Sequence, residues 1–212
     1  MVFCFGSNWS RDEGVASPGA DLKTKDHGGS LATTFAALGE FAFDTASKDA
    51  ALQQSINGPH TERATATGPG AILVEVYDAG PNDGRKLVNL SARFQVGTGD
   101  YILIAGLVVS GTGTKQLLIR AIGPTLANYG VTGALADPQL AVYDGGKAIA
   151  SNDNWSSSLT PTFDTVGAFH LLDASKDADI VVTLQAGKSY TVQVSGVGGT
   201  TGEALVEIYL MP

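Results

Sequence analysis

The chain has 212 residues, of which 43% are hydrophobic and 16% are charged, and this balance excludes an intrinsically disordered protein. Its net charge of −8, with no cluster of lysine or arginine, excludes nucleic acid as a partner because phosphate backbones would be repelled. The single cysteine, Cys4, excludes an internal disulfide. No apolar run approaches the ~18 residues of a membrane helix, so membrane insertion is not expected. The apolar residues 1–6 are too short for a signal peptide, and we expect none within this chain.

Part of the first 82 residues repeats the last 62. Residues 35–50 (FAALGEFAFDTASKDA) and 163–178 (FDTVGAFHLLDASKDA) are identical at eight of 16 positions without a gap. Residues 70–77 (GAILVEVY) and 202–209 (GEALVEIY) share five of eight positions. Collinear blocks of this kind indicate an internal duplication.

The earlier copy is degraded relative to the later one. In the later copy, Tyr190, Val192 and Val194 alternate with polar residues, which is the pattern of a half-buried strand. The matching positions of the earlier copy are smaller or polar: Glu62, Ala64 and Ala66. The earlier copy also carries an insertion at residues 11–28, and we expect it to be the less stable part.

Residues 86–212 predict eight short strands separated by glycine-rich turns, and no segment of useful length has a helical period. Residues 124–129 predict one helical turn, which opens on Pro124 and is closed by Gly130. Short strands at regular spacing favour a β-sandwich or a jelly roll. The predicted strands are residues 86–93, 101–110, 115–122, 139–143, 148–151, 179–184, 189–195 and 203–210.

The predicted fold class is therefore all-β, a sandwich or jelly roll with an internal partial duplication. Residues 1–86 form an incomplete repeat, the rear half of a sandwich, and residues 87–212 form a complete unit. A half-sandwich leaves an apolar face and strand edges uncovered, so we expect it to pack on a neighbour. That neighbour is the adjoining repeat, another copy of the chain, or the rest of a longer repetitive protein.

A polar cluster offers the best candidate metal site. Asp144, Asn152, Asp153 and Asn154 supply the carboxylate and amide oxygens that calcium prefers, although the pattern is not an EF-hand loop. The alternative is that these side chains cap turns by bonding to their own backbone. Calcium is thus the one cofactor that the sequence predicts, because no HxH or HExxH pattern is present to hold zinc. Weaker candidates for the same role are Asp137, Asp177 and Asp179.

Signs of catalysis are weak. The G-x-S-x-G nucleophile elbow is absent. Asp26 and His27 form the best local acid–base pair, and His170 is a second candidate. As an enzyme, the chain would be a calcium-dependent hydrolase of small esters or lactones that uses one of these histidines. The sequence identifies no nucleophile for such a reaction.

Residues 87–209, above all the stretches IRAIGPTL and SGVGGTTGEALVEIY, resemble a repeat common in large secreted and surface proteins of environmental bacteria, notably Verrucomicrobia-like organisms. Residues 30–77 resemble it in part. More loosely, residues 137–155 (DPQLAVYDGGKAIASNDNW) and the strand GKSYTV resemble bacterial pre-peptidase C-terminal β-sandwich domains. Those domains accompany secreted enzymes as accessory, binding or anchoring modules. The resemblance implies a β-sandwich and an extracellular or cell-surface location.

Three functions compete. The duplication, the acidic composition and the lack of a catalytic motif favour a non-catalytic extracellular module for surface attachment, adhesion or assembly, with calcium as a stabilising ligand. The second is the hydrolase. The third is a glycan-binding module in which Trp155, matched by Trp9 in the earlier copy, stacks on a glycan or surface polymer. A tryptophan buried as an anchor of the repeat is the alternative interpretation of these two residues.

Overall fold

The structure of the protein is a computed structural model, and it describes residues 2–9, 31–39, 41, 43–44, 49–61, 63–64, 70–80 and 87–212, with the backbone alone for residues 2–9. Within these ranges the strands are β1 (Val2–Trp9), β2 (Gly70–Tyr77), β3 (Asn89–Val96), β4 (Leu103–Val109), β5 (Thr114–Ile122), β6 (Pro138–Asp144), β7 (Lys147–Asn152), β8 (Ala178–Gln185), β9 (Lys188–Gly196) and β10 (Gly202–Leu210). The α-helices are α1 (Ala32–Leu38) and α2 (Thr160–Val166). Short 3₁₀ turns occupy Gly99–Tyr101, Pro124–Tyr129, Ser157–Leu159 and Val197–Gly199.

The chain divides into two compact units. One comprises Met1–Ser10, Gly68–Asp78 and Gly84–Pro212, and the other comprises Arg11–Thr67 and Ala79–Asp83. The sequence predicts a single boundary at residue 86, whereas β1 and β2 of the earlier copy belong to the same unit as β3 to β10.

Strands β3 to β10 contribute four strands to each of two antiparallel sheets. The first sheet contains β4-β9-β6-β7 and the second contains β3-β10-β5-β8 in that spatial order. This is the strand order of a jelly roll, so the predicted all-β sandwich is confirmed. Strand bounds differ from the predicted ones by three residues or fewer, and the 3₁₀ turn at Pro124–Tyr129 ends at Gly130 as predicted.

Period-two alternation places the main core between the sheets. On β9, Tyr190, Val192 and Val194 are buried, as their spacing predicts. They belong to one cluster with Val206 and Ile208 of the second sheet. Burying each such side chain contributes about 1.5–3 kcal/mol, and this makes the core the main source of stability in this unit.

The second sheet is buried on both faces. Every residue of β5 from Leu117 to Ile122 is buried, the pattern of a strand that is covered on both sides. The outer face packs against a layer that includes the 3₁₀ turn at Pro124–Tyr129 and the fully buried Phe163 of α2. The sequence does not predict α2, because a seven-residue helix is too short to show a helical period.

The duplication is visible in the structure. Helices α1 and α2 are both seven residues long, and each ends at a left-handed glycine, Gly39 (φ 78°) and Gly167 (φ 73°). Strand β2 has the same sequence position in the earlier copy as β10 has in the later one. Residues 50–57 match β8 but contain no strand, because polar residues such as Gln53 and Gln54 replace its apolar ones. The predicted loss at Glu62 and Ala66 lies outside the described residues.

Gly123, in the IRAIGPTL stretch, has no room for a side chain. A Cβ atom there would lie 2.0 Å from the carbonyl oxygen of Leu135, whose side chain is fully buried. We predict that Gly123→Ala lowers the free energy of unfolding by about 2–3 kcal/mol, because the buried backbone must shift. Gly146→Ala is the control, since nothing lies within 4 Å of its Cβ position. Urea denaturation measures both, and equal midpoints for the two variants would contradict the prediction.

Candidate functional site

The four predicted calcium ligands lie at two ends of the β6–β7 hairpin. Asp144 pairs in register with Lys147 beside the turn, whereas Asn152 pairs with Leu140 at the far end. Four residues of strand separate these ends, about 13 Å at about 3.3 Å per residue. The hairpin therefore does not bring Asp144 together with the three residues at its other end.

These residues also have partners of their own. Asp144 Oδ2 accepts a hydrogen bond from Lys188 Nζ at 2.6 Å, and this bond raises the pKa of Lys188. Asn152 Oδ1 accepts a hydrogen bond from the Asn154 backbone N–H at 2.6 Å, which is the turn-capping role considered as the alternative. Among the described residues, no group of three or more His, Cys, Asp or Glu side chains is placed to hold a metal ion. Calcium binding stays a prediction.

The candidate catalytic residues fall in two places. His170 follows α2, and its Nε2 lies 2.8 Å from Asp164 Oδ1. The two side chains are 60% and 66% exposed, so the pair is open to water. Asp26 and His27 lie outside the described residues. The hydrolase hypothesis stays a prediction.

The stretches IRAIGPTL and DASKDA meet at one buried carboxylate. Asp177 is 0% exposed, and its Oδ1 accepts a hydrogen bond from the Gly123 N–H at 2.7 Å. Its Oδ2 accepts hydrogen bonds from the hydroxyls of Thr125 and Ser175. Hydrogen bonds to a charged group contribute about 1.5–3 kcal/mol each. Asp177, a weaker metal candidate in the sequence, therefore joins the turn at residues 124–129 to the loop before β8.

A second buried charge lies on the outer face of the second sheet. Arg120 is 0% exposed, and its Nε donates to Glu207 Oε2 at 2.9 Å. Its Nη1 donates to the Phe169 carbonyl oxygen, and its guanidinium carbon lies 4.7 Å from the ring centre of Phe163 and 4.5 Å from that of Phe169. The Tyr209 hydroxyl donates to Glu207 Oε1 at 3.1 Å, and burial raises the pKa of Tyr209, which keeps this donor protonated.

Asp179 lies opposite Arg120 on the neighbouring strand and is 1% exposed. Neither of its carboxylate oxygens makes a hydrogen bond of normal geometry within the described residues. Burial raises the pKa of Asp179 from 3.8 to about 6, and the nearby Ser156 backbone N–H and the Arg120 charge only partly offset this effect. Since Arg120 donates its hydrogen bonds to Glu207 and to the Phe169 carbonyl oxygen, the charged form of Asp179 is poorly stabilised.

Trp155 is a packing residue in this structure. Its half-buried ring lies 6.1 Å from that of Phe163 between ring centres, and its backbone N–H donates to the Asp177 carbonyl oxygen at 2.7 Å. Its indole Nε1 is buried and has no hydrogen-bond partner in the described part of the chain. These contacts favour the anchoring interpretation over sugar stacking, which stays a prediction for Trp155.

The earlier copy keeps only part of these clusters. The Tyr77 hydroxyl donates to Glu75 Oε1 at 3.4 Å, as the matching pair of β10 does. Asp49, at the position of Asp177, is exposed. The IRAIGPTL stretch, which contains Arg120, occurs once in the sequence, so the earlier copy has no second set of these partners.

Strands β1 and β2 instead join the complete unit. They pair with each other over eight residues, and β1 also pairs with β4 from Val2↔Val108 to Gly6↔Ile104. The first sheet thereby extends to β2-β1-β4-β9-β6-β7. We call the β1-facing backbone of residues 104–108 the docking edge. Without β1, this edge would present unpaired N–H and C=O groups.

The sequence pattern does not identify Arg120, Glu207 or the docking edge. The available signal was a charge inside an otherwise apolar strand, in LLIRAI and again in LVEIY. Such a charge indicates a buried polar partner, since an isolated buried charge is very unfavourable.

Comparisons of the chain with protein-family models, with curated proteins and with solved structures find no match. No helix in the described residues is long and apolar enough to cross a membrane.

Asp179 predicts a particular pH dependence of stability. Because its folded pKa of about 6 lies above its ordinary value of 3.8, the folded chain holds the proton more tightly than the unfolded chain. The contribution of this proton binding to the stability of the fold is fully present below about pH 4 and is lost as the pH rises through about 6. We predict that at pH 8 the free energy of unfolding of Asp179→Asn exceeds that of wild type by on the order of 2 kcal/mol, so that the variant melts at a higher temperature. The difference should vanish near pH 4.

Asp173→Asn is the matched control, because it makes the same change at an exposed carboxylate. Thermal melting of wild type and both variants between pH 4 and pH 8 gives the comparison. A constant offset between Asp179→Asn and wild type across this range would show that Asp179 does not titrate as described.

Proposed function

We propose that the chain is a non-catalytic attachment and assembly module, in which the strands of one repeat bind the next repeat at its docking edge. The observation that supports this is the pairing of β1 with β4. The partners are neighbouring repeats or further copies of the chain. An extracellular or cell-surface location is part of the proposal and rests on the resemblance to bacterial surface repeats.

The positions of the duplicated strands explain why a partial copy would dock in this way. In the complete unit, β10 lies between β3 and β5 and is hydrogen-bonded on both sides. Its counterpart β2 belongs to a copy that lacks the matching front-half strands. It pairs with β1, and the two-stranded ribbon adds to the sheet of the complete unit.

Strand addition also fits a copy whose side chains have diverged. The affinity of such an interaction comes from main-chain hydrogen bonds, which do not depend on side-chain identity. The partial copy has lost apolar residues along the segment that matches β8, yet β1 and β2 keep a continuous ladder. Selection for docking would preserve this ladder while the rest of the copy degrades.

The sole cysteine of the chain provides a test of the docking register. Cys4 lies opposite Gly106 in the β1–β4 pair. Directly opposed residues of antiparallel strands have Cα atoms about 4.5–5.5 Å apart, within the range that a disulfide spans. We predict that Gly106→Cys forms a disulfide with Cys4 on mild oxidation, seen as a mobility change on non-reducing gels and as loss of two free thiols.

Val108→Cys is the register control, since its partner in the ladder is Val2 and it lies two residues from Gly106. It should retain its thiols under the same conditions. An intramolecular disulfide indicates docking within one chain, and a disulfide-linked dimer indicates docking between copies. Absence of both products in Gly106→Cys, or equal oxidation of the control, would overturn the proposed docking edge.

A further inference from the structure

A groove runs over the outer face of the first sheet, across β9, β6 and β7, away from the docking edge. Its floor is Ala141, which has Gln193 opposite on β9 and Ser151 opposite on β7. Along β6, Gln139 and Tyr143 lie two residues to either side and share its face. One small side chain surrounded by four larger ones produces a depression, and its volume is about 420 Å³. The depression is shallow and open to solvent on one side.

The lining of the groove is mostly polar. Gln139 Nε2 donates to Ser195 Oγ at 3.0 Å, which fixes one wall. Within the described residues, the polar ends of Gln193, Ser151 and Tyr143 have no such partner in the protein. Amide and hydroxyl groups both donate and accept hydrogen bonds, so they match ligands that carry adjacent hydroxyls. A purely apolar occupant would leave these groups unpaired and is disfavoured.

Charge narrows the class of ligand further. Asp153 is the one ionisable carboxylate that lines the groove, and neither lysine nor arginine lines it. Lys188, on the adjacent strand, is held by Asp144. With a net charge of −8 on the chain, the groove disfavours phosphate, sulfate and uronate groups. The carboxylate of Asp153 can accept hydrogen bonds from hydroxyls.

Tyr143 adds an aromatic surface beside the polar groups. An aromatic ring with one polar end suits a ligand that has apolar C–H faces and hydroxyl edges, which describes a pyranose ring. The groove is partly open along the sheet rather than closed over, so a chain of sugars can lie across it. We propose that this groove binds a segment of a neutral polysaccharide, with Gln193 and Asp153 on its hydroxyls and Tyr143 against a sugar face.

The test uses the full chain and amide-resolved NMR titration with four neutral oligosaccharides: cellohexaose, xylohexaose, mannohexaose and laminarihexaose. Polygalacturonate serves as the anionic comparison. We expect at least one neutral oligosaccharide to shift the amide signals of Ala141, Gln193 and Ser151, with a Kd of about 0.1–1 mM, as befits a shallow groove with few contacts. Polygalacturonate should not shift them.

Variants separate the groove from the rest of the surface. Tyr143→Ala and Gln193→Ala should each weaken binding at least tenfold, and Ala141→Phe should abolish it by filling the floor. The matched controls are Tyr101→Ala and Gln185→Ala, whose side chains are exposed on other parts of the unit, and these should bind like wild type. Circular dichroism confirms that each variant is folded.

Three outcomes would overturn the inference. They are no shift with any neutral oligosaccharide, stronger binding of polygalacturonate, and shifts that centre on Trp155 instead of the groove. None of these outcomes depends on the Cys4 cross-link, so the tests of the groove and of the docking edge are independent.

Discussion

The buried carboxylate of Asp177 holds together parts of the chain that lie far apart in sequence. It takes hydrogen bonds from Gly123 and Thr125 after β5 and from Ser175 before β8. These bonds fix the layer that covers the outer face of the second sheet, and the sheet is thereby buried on both faces. A buried carboxylate without its donors is destabilising, so the turn at residues 124–129 and the loop before β8 stabilise each other through Asp177.

Arg120, Glu207 and Asp179 form a row of charged residues across the same sheet, and they do not join distant loops as Asp177 does. Arg120 lies opposite Glu207 on one neighbouring strand and opposite Asp179 on the other. A slip of one residue along β5 would turn the arginine into the core between the sheets. Buried ion pairs add little net stability compared with apolar residues, but a buried charge that has lost its partner is strongly destabilising. The Arg120–Glu207 pair therefore favours the observed register of β5 against β10.

Local patterns were sufficient to predict the eight-stranded unit. Alternation identified the buried side of β9, and Pro124 with Gly130 identified the 3₁₀ turn. The predicted strands 139–143 and 148–151 already place Asp144 at the turn and Asn152 at the far end of a hairpin, so their separation could be predicted from the sequence. Long-range pairing was not accessible in this way. The groove around Ala141 needs β9, which is distant in sequence from the β6–β7 hairpin, and only the assembled sheet reveals it.

Strand β10 is the last strand along the chain, yet it lies inside the second sheet between β3 and β5. Strands β3 and β5 have no direct pairing with each other in this order, so the sheet cannot close until residues 202–210 are present. During synthesis from the N-terminus, β5 can pair with β8, but β3 and the other edge of β5 stay unpaired until β10 is made. The pairing of strands that lie this far apart in sequence is also intrinsically slow. The strand that marks the duplication is thus the one that joins β3 to the rest of the second sheet.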